Sequence, residues 1–593
     1  MKLVRDGIPA SPGIVIGPAH VLRWEVPKVA RSNIAPDEVE AEVTRMRQAC
    51  DSARDRIREI QEQTAERLGS VEAQIFEPQI LMLEDVELID AAITYVRENH
   101  VTAARALELR VLELRSEWQQ LGHPMVMDRL TDLLDVEIRL LRELLDMESP
   151  VDAIESARER SIVVAHDLTP SLAVQLDRET TLGIALDTGS RTSHTAILAR
   201  ALGIPAVVGL GELSDEVAPG TELILDGRSG RVLAEPNEEE KRVYRERDVR
   251  VREWEQELVL LAHMDSVTPD RQPVQLRANI DLPGEAEIAR RHGAEGIGLF
   301  RTEFLVVGRS AFPGEEEQYQ AYRQATEVFP DHTVCIRTYD LGGDKFPRFL
   351  RMPSEENPFL GWRGIRVCLD MPDLFRAQLR AVLRATAHGD VRVMLPLINE
   401  IDEVERTREM LEELEQELDR EGIDYTSGYK LGVMIETPAA VLIAEELARH
   451  ADFFSIGTND LIQYTLAVDR GNARLASRYT AFHPAVVKLL RRTAESGRRA
   501  GIEVSVCGEM AANPLGVFLL LGLGITALSV SPSALPEIKK VVRTIPATAA
   551  REAAAAAVSA ASPDEVIETL TAAISEWLDL SLFSGRWNVS PLQ

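Results

Sequence analysis

From Val274 onward one pattern recurs eight times: a short apolar run ending in polar or charged residues, then a stretch long enough for a helix. The runs are "VQLRANI" from Val274, "GIGLFRTE" from Gly296, "TVCIRTYD" from Thr333 and "VRVMLPLI" from Val391. They continue with "LGVMIET" from Leu431, "DFFSIGTND" from Asp452, "EVSVCGE" from Glu503 and "ALSVSPS" from Ala527. Parallel strands need a crossover of a dozen or more residues, usually a helix. Eight such units in succession define a (β/α)₈ TIM-type barrel, with its reactive groups at the C-terminal strand ends.

Those ends carry a specific set of side chains. They are Asn279, Arg301 and Glu303, Arg337 and Asp340, Glu436, Asn459 and Asp460, Cys507 and Glu509, and Ser529 and Ser531. Lys345 in "GGDK" and Arg470 in "AVDRGN" follow two of the strands. Guanidinium groups suit phosphate and carboxylate. Carboxylates beside them make sense where they hold Mg²⁺ that helps bind a phosphate. The competing reading is a salt-bridge layer capping the barrel. Cys507 is a core thiol, a nucleophile or a proton donor, and spacing alone leaves the three open.

The first half of the chain has a different rhythm. Residues 1–22 read as short strands and turns that lack a core of their own. Val39, Val43, Met46, Cys50, Ala53, Ile57 and Ile60 alternate steps of four and three, which predicts an amphipathic helix. Pro36, Asp37 and Glu38 suit its first turn and Gly69 its stop. Helical patterns continue to about Met147. Within them, Glu72, Glu77, Glu84, Asp85, Glu87, Asp90 and Glu98 stand against one Arg97, a solvated face or a docking surface for a basic partner. From Ser161 short strands return in "SIVVAHD", "LGIALD", "PAVVG", "ELILDG" and "RVLAE". The chain is therefore expected to be a multidomain α/β protein. An α/β domain of residues 1–22 and 148–235 is interrupted by a helical insert at 33–147. A linker helix at 236–264, a barrel at 265–580 and a tail at 581–593 follow. The linker segment "NEEEKRVYRERDVRVREWEQELVLLAHM" has few apolar positions, so it reads as an exposed helix spanning about 40 Å.

Composition narrows the setting. Sixty-six basic against 96 acidic residues give a net charge of −30, which disfavours nucleic acid and anionic lipid as partners. Four scattered cysteines without a CxxC pair argue against disulfides and zinc, and for a reducing compartment. No apolar run approaches ~18 residues and the N-terminus has no apolar h-region, so a cytoplasmic chain without membrane insertion is expected.

His194, in "TGSRTSHTAILARALGIPAVVG", is one of only 11 histidines. No second His or Cys lies at ligand spacing, which disfavours a metal site. Thr192 and Ser193 are N-cap candidates for the helix that follows. A helix N-terminus keeps imidazole neutral and welcomes an anionic group, and Arg191 adds charge. A phosphohistidine carrier fits that environment.

Seven stretches together carry a resemblance. They are "SRTSHTAILARALGIPAVVG", "GIGLFRTEFL", "IRTYDLGGDK", "ENPFLGWRGIR", "VMIETPAA", "FFSIGTNDLIQYTLAVDRGN" and "VCGEMA". In these the chain resembles the enzyme I family of the bacterial phosphoenolpyruvate:sugar phosphotransferase system, collinearly from about Gly7 to about residue 575. The resemblance implies a phosphohistidine swivel domain, an HPr-binding helical insert and a phosphoenolpyruvate-binding barrel that forms a homodimer. It implies that phosphoenolpyruvate, bound with Mg²⁺, phosphorylates His194, and that the phosphoryl group passes to a histidine of the carrier HPr. It assigns Arg301, Arg337 and Arg470 to the substrate's phosphate and carboxylate, with Lys345 and Arg363 assisting and Asn459 as a further contact. Glu436 and Asp460 become the Mg²⁺ ligands, and Cys507 the acid that protonates the enolate carbon. Arg363 is supplied by the resemblance alone.

The chain departs from the family pattern at Gly189-Ser190, where two glycines are usual. It departs again at Leu172-Ala173, where an acidic residue and threonine are usual, and at Pro78-Gln79, where Gly-His is usual. The tail after Leu580 has no counterpart. Three alternatives remain: a sugar-independent nitrogen-type phosphorelay enzyme, a regulatory scaffold that no longer transfers phosphate, and a relative of pyruvate phosphate dikinase or phosphoenolpyruvate synthase. The last needs an ATP-binding domain for which the first 150 residues have no room and no Gly-rich phosphate loop.

Overall fold

The computed structural model describes residues 3–22, 26–30, 33–68, 73–121, 124–147, 160–168, 170–173, 176–190, 193–306, 309, 311–342 and 355–583. Lys345, Arg191, Thr192, Gly69, Glu72 and the tail beyond residue 583 lie outside them. The chain divides into two compact units between Arg252 and Glu253.

The first unit is built on a mixed eight-stranded sheet. Its strands are β1 (Val4–Asp6), β2 (Ile8–Ser11), β3 (Ile14–Leu22), β4 (Ser161–Ala165), β5 (Thr181–Leu186), β6 (Ala206–Val208), β7 (Glu222–Asp226) and β8 (Arg231–Ala234). The order is β1-β8-β7-β3-β4-β5-β6-β2. β3 to β6 run parallel, while β3 pairs antiparallel with β7. Strands from the extreme N-terminus thus share a sheet with strands beyond residue 160. β4 is buried along its length because both faces are covered. Val163 and Ala165 join a core with Ala196 and Ala199 of the helix His194–Leu202, and Ile162 and Val164 join the opposite core with Leu223 and Leu225.

Between β3 and β4 lie the helices Val39–Leu68, Glu77–Leu83, Ala91–Asn99, Ala103–Leu121 and Pro124–Leu144. The predicted stripe is their core: Val39, Val43, Met46, Cys50, Ala53 and Ile57 are buried, and Ile60 packs against them. Residues 36–38 form a turn just ahead of the helix. The described acidic residues of the stretch, Glu77, Glu84, Asp85, Glu87, Asp90 and Glu98, are all exposed. Glu84 faces Arg54 and Arg58 at 3.7 and 3.9 Å, and Asp85 accepts the Glu87 N–H at 2.7 Å. Exposed Leu81 and Val86 interrupt it.

The linker helix spans Glu238–Leu261. It is exposed on most of its surface but not on every face: Val259 and Leu260 are open, while Lys241 and Val251 are buried. Trp254, Leu258 and Leu261, spaced by four and three, are buried in the core of the second unit. Their spacing is that of one helical face, which the surrounding charges conceal in the sequence. No described helix is long and apolar enough to cross a membrane.

The second unit is a closed, all-parallel barrel of β9 (Gln275–Ile280), β10 (Ile297–Arg301), β11 (Val334–Arg337), β12 (Val391–Leu395), β13 (Lys430–Ile435), β14 (Phe453–Ile456), β15 (Glu503–Val506) and β16 (Ala527–Val530). All eight expected strands are present and in order. Several end earlier than the sequence suggests. After β14, Thr458–Leu466 is already helical, so Asn459 and Asp460 sit on a helix N-terminus at the rim. Leu299, Cys335, Met394, Met434, Phe453 and Cys507 fill the barrel interior beneath that rim. At the opposite end Glu503 accepts from Arg277 at 2.6 Å and Arg392 at 3.1 Å, closing the bottom.

Candidate active site

The C-terminal mouth of the barrel encloses a cavity of about 330 Å³. Its lining includes Arg301, Arg337, Arg363, Glu436, Asn459, Asp460, Arg470 and Cys507. Eight of the ten residues proposed from the sequence and the resemblance are therefore brought together. Lys345 lies outside the described residues, and His194 belongs to the first unit.

Arg337 ends β11 and is buried with Glu303 and Asp340 as its ion-pair partners, Asp340 at 3.1 Å. Arg363 holds Asp340 through two contacts of 2.9 and 3.0 Å and Asp460 through a third of 2.7 Å. It also donates to the Tyr464 hydroxyl at 3.1 Å. Arg301 reaches Asp281 at 3.1 Å, and its side chain stays about one-third exposed, at 32%. Arg470 is exposed on the loop after the Thr458–Leu466 helix. The guanidiniums thus differ in kind. Arg337 and Arg363 are fixed in a buried network, while Arg301 and Arg470 retain exposed surface for an incoming anion.

Glu436 follows β13 and is almost fully buried, accepting the Leu397 N–H at 2.6 Å. Burial pushes its carboxyl up, and Asp460 and Asp340 push it further, against the pull of Arg363 and Arg337. Oδ1 of Asp460 is buried without a hydrogen-bond partner. The crowded carboxylates and this open oxygen fit a small hard cation. Mg²⁺ keeps several waters and commonly takes one or two carboxylates plus substrate phosphate oxygens. Among the described residues no group of three or more His, Cys, Asp or Glu is placed to hold a metal by itself, so substrate oxygens would have to complete the shell.

Cys507 follows β15. Its thiol is buried, 3.7 Å from the Ile456 carbonyl, and Asn279 donates to its own carbonyl at 2.9 Å. Burial pushes the thiol up, and Ser455 and Arg337 pull down without reversing it. A thiol that keeps its proton suits the donor role better than the nucleophile role. Asn459 exchanges two bonds with Glu509, at 3.2 and 3.1 Å, which fixes its amide at the rim. Two glycines permit this crowding. A Cβ on Gly457 would meet Glu436 Oε2 at 2.6 Å, and one on Gly508 would meet Thr458 Oγ1 at 1.9 Å.

Sequence reading missed the Arg363 bridge, because "GWRGIR" lies between strands, not at a strand end. It also missed Met434, Tyr464 and the two glycines. The glycines of "SIGTND" and "VCGEM", beside chemistry-bearing residues, were the signal available. Replacing Arg363 with alanine leaves Asp460 without its buried cation. We expect a loss of about 3–5 kcal/mol in barrel stability. Urea unfolding checks this, and a loss below about 1 kcal/mol, the range of exposed pairs, would show that the bridge is dispensable to the fold.

In the first unit, His194 opens the helix His194–Leu202. Ser193 is the N-cap, accepting the Ala196 N–H at 3.4 Å while its hydroxyl donates to the Ser190 carbonyl at 2.9 Å. Thr195 Oγ1 donates to the Leu168 carbonyl at 2.8 Å. Gly189, at φ +110°, takes the preceding turn through a conformation other residues rarely adopt.

Three models of PEP-utilising enzymes match successive parts of the chain: the N-terminal region over residues 6–129, the mobile domain over 157–230 and the PEP-binding domain over 255–547. Relatives named phosphoenolpyruvate-protein phosphotransferase extend across nearly the whole chain. The one from Geobacillus stearothermophilus is 40% identical over 529 residues, 89% of this chain and 91% of the relative. That from Haemophilus influenzae is 39% identical over 566 residues, covering 95% and 98%. That from Staphylococcus carnosus is 37% identical over 562 residues, covering 95% and 97%. The chain belongs to the phosphoenolpyruvate-protein phosphotransferase family.

Proposed function

We propose that this enzyme transfers the phosphoryl group of phosphoenolpyruvate to His194 and then to a histidine of the carrier HPr, as the first step of sugar phosphotransfer. The mouth cavity carries the reading. It joins exposed and buried guanidiniums, two crowded carboxylates and a protonated thiol on one rim. Arg301 and Arg470 engage the substrate's phosphate and carboxylate, backed by Arg337 and Arg363, with Asn459 as a polar contact. Glu436 and Asp460 would hold Mg²⁺, which when bound supplies positive charge to the phosphate oxygens. A neutral imidazole nitrogen of His194 attacks phosphorus. The bond from phosphorus to the enol oxygen breaks as the N–P bond forms. The enolate carbon takes its proton from the Cys507 thiol, which gives pyruvate, and the thiolate is then reprotonated from solvent.

The helix that begins at His194 and the barrel mouth belong to different units, whereas transfer requires approach to about 3 Å. We therefore assign residues 1–22 and 148–235 as the swivel domain, 33–147 as the HPr-binding insert and 236–264 as the linker. Residues 265–580 are assigned as the barrel that also dimerises. Exposed Leu81 and Val86 among the acidic residues support the insert's role, because they offer apolar contact within a charged surface that suits a basic carrier. A cytoplasmic location accords with the four scattered thiols.

The test is labelling. Incubation with phosphoenolpyruvate and Mg²⁺ should place one acid-labile, base-stable phosphate on His194, located by mass spectrometry. Chelation of the metal should prevent it. Labelling from ATP in place of phosphoenolpyruvate would favour the dikinase or synthase reading. Failure to label at all, with phosphoenolpyruvate still bound, would favour a regulatory scaffold.

A further inference from the structure

A second imidazole stands at the sheet edge where the carrier helix begins. Ala165 of β4 and Leu186 of β5 are register partners, so His166 and Asp187 are the next step along two parallel strands. Open α/β sheets place their ligands at this C-terminal edge. Nδ1 of His166 lies 3.5 Å from Oδ2 of Asp187. Asp187 is buried and held by Ser214, through its N–H at 3.1 Å and its hydroxyl at 2.5 Å. The His166 side chain is 72% exposed, so one edge is directed by a fixed carboxylate while the ring remains open to solvent.

The backbone around His166 is tied to both flanks of the carrier turn. Thr188 donates twice to the His166 carbonyl, from its N–H at 3.0 Å and its hydroxyl at 3.1 Å. Thr195, the residue after His194, donates to the Leu168 carbonyl at 2.8 Å. Residues 166–168 are therefore tied to Thr188 and Thr195, on either side of His194 in the sequence. A carboxylate behind one imidazole nitrogen fixes the tautomer and directs the other nitrogen outward. Among the described residues, the charged groups at His166 are Asp187 at the end of β5 and its neighbour Asp167, whose carboxyl burial pushes up. Arg191, on the carrier turn, lies outside the described residues.

We propose that His166 contacts the phosphoryl group carried by His194, donating from Nε2 to its oxygens when the ring is an imidazolium. This rests on the reading of His194 as the carrier. It makes phosphohistidine stability at this site depend on pH through a second residue. No bond to phosphorus is made or broken at His166. It only takes up a solvent proton, which the dianionic phosphoryl group favours. Bonds to charged groups of this kind are worth about tenfold or more in an equilibrium constant.

The experiment measures the phosphorylation equilibrium of the full chain with Mg²⁺ at fixed phosphoenolpyruvate-to-pyruvate ratios, from pH 5.5 to 8.5. The wild type is compared with His166→Gln and His166→Lys. Because the side chain is exposed, both variants should fold. The wild-type constant should exceed that of His166→Gln by about tenfold or more at the acid end, and the two should converge at the alkaline end. His166→Lys should keep the advantage throughout. A constant wild-type to His166→Gln ratio at every pH, whether one or larger, overturns the proposal, because a merely structural role moves all pH values together. If the wild type carries no label on His194, the carrier reading itself fails, and that result appears before any His166 variant is compared.

Discussion

His194→Ala should take no phosphate from phosphoenolpyruvate, and none from phosphorylated HPr, while binding phosphoenolpyruvate at the barrel as the wild type does. The loss should be complete because the proposed mechanism forms the bond to phosphorus on this ring. The reading rests on an imidazole at the start of a helix. The substitution should leave the fold alone. Alanine is the strongest helix former, and the N-cap bond runs from Ala196 to Ser193, not through position 194. The carrier helix is anchored by Ala196 and Ala199, and the barrel lies in the other unit. Circular dichroism should match the wild type, and calorimetric titration should return the same affinity for phosphoenolpyruvate. A phosphate mapped to any other residue of the mutant would refute the assignment.

Cys507→Ala should slow pyruvate formation by ~10²–10⁴-fold, the usual cost of losing a positioned acid. Phosphoenolpyruvate binding should persist. The thiol sits on the packed layer of Leu299, Met394, Met434 and Phe453, and burial keeps it protonated. Alanine removes the proposed proton source but leaves Arg301, Arg470, Asn459 and the carboxylates in place. Phosphoryl exchange between His194 and HPr involves no enolate, so that half-reaction should run at the wild-type rate. Stopped-flow pyruvate assays and isotope exchange with HPr separate the two. Near wild-type pyruvate formation would make Cys507 a packing residue. Equal loss in both half-reactions would show damage to the fold, not to proton delivery.

How far the site was legible depended on where each residue lies along the chain. Arg301, Arg337, Glu436, Asn459, Asp460 and Cys507 close apolar runs, and in a parallel barrel the end of every run is brought to one rim. Their convergence followed from the repeat alone. Arg363 lies in a crossover, where no periodicity marks it. Only the packed structure shows that it links Asp340 to Asp460. His166 was passed over for a similar reason. Asp187, its partner, is 21 positions away, and only the register of β4 on β5 makes them neighbours. The buried face of the linker helix was hidden by the charges around Trp254, Leu258 and Leu261, which dominate any average over the segment.

The sequence by itself determined the eightfold barrel, the seam of the long helix at Val39–Leu68 and the set of groups available for chemistry. These are local matters: the period of the apolar residues and the order in which polar residues close each run, and neither depends on distant contacts. Tertiary structure alone decided which charges neutralise one another and which stay open. Arg337 and Arg363 are buried against acids while Arg301 and Arg470 keep exposed surface. Burial pushes the Cys507 thiol up, and Glu436 is crowded by Asp340, beyond β11, and Asp460, on the helix after β14. Burial and charge proximity set protonation and binding capacity, and both arise only when separate segments of the chain meet at one rim.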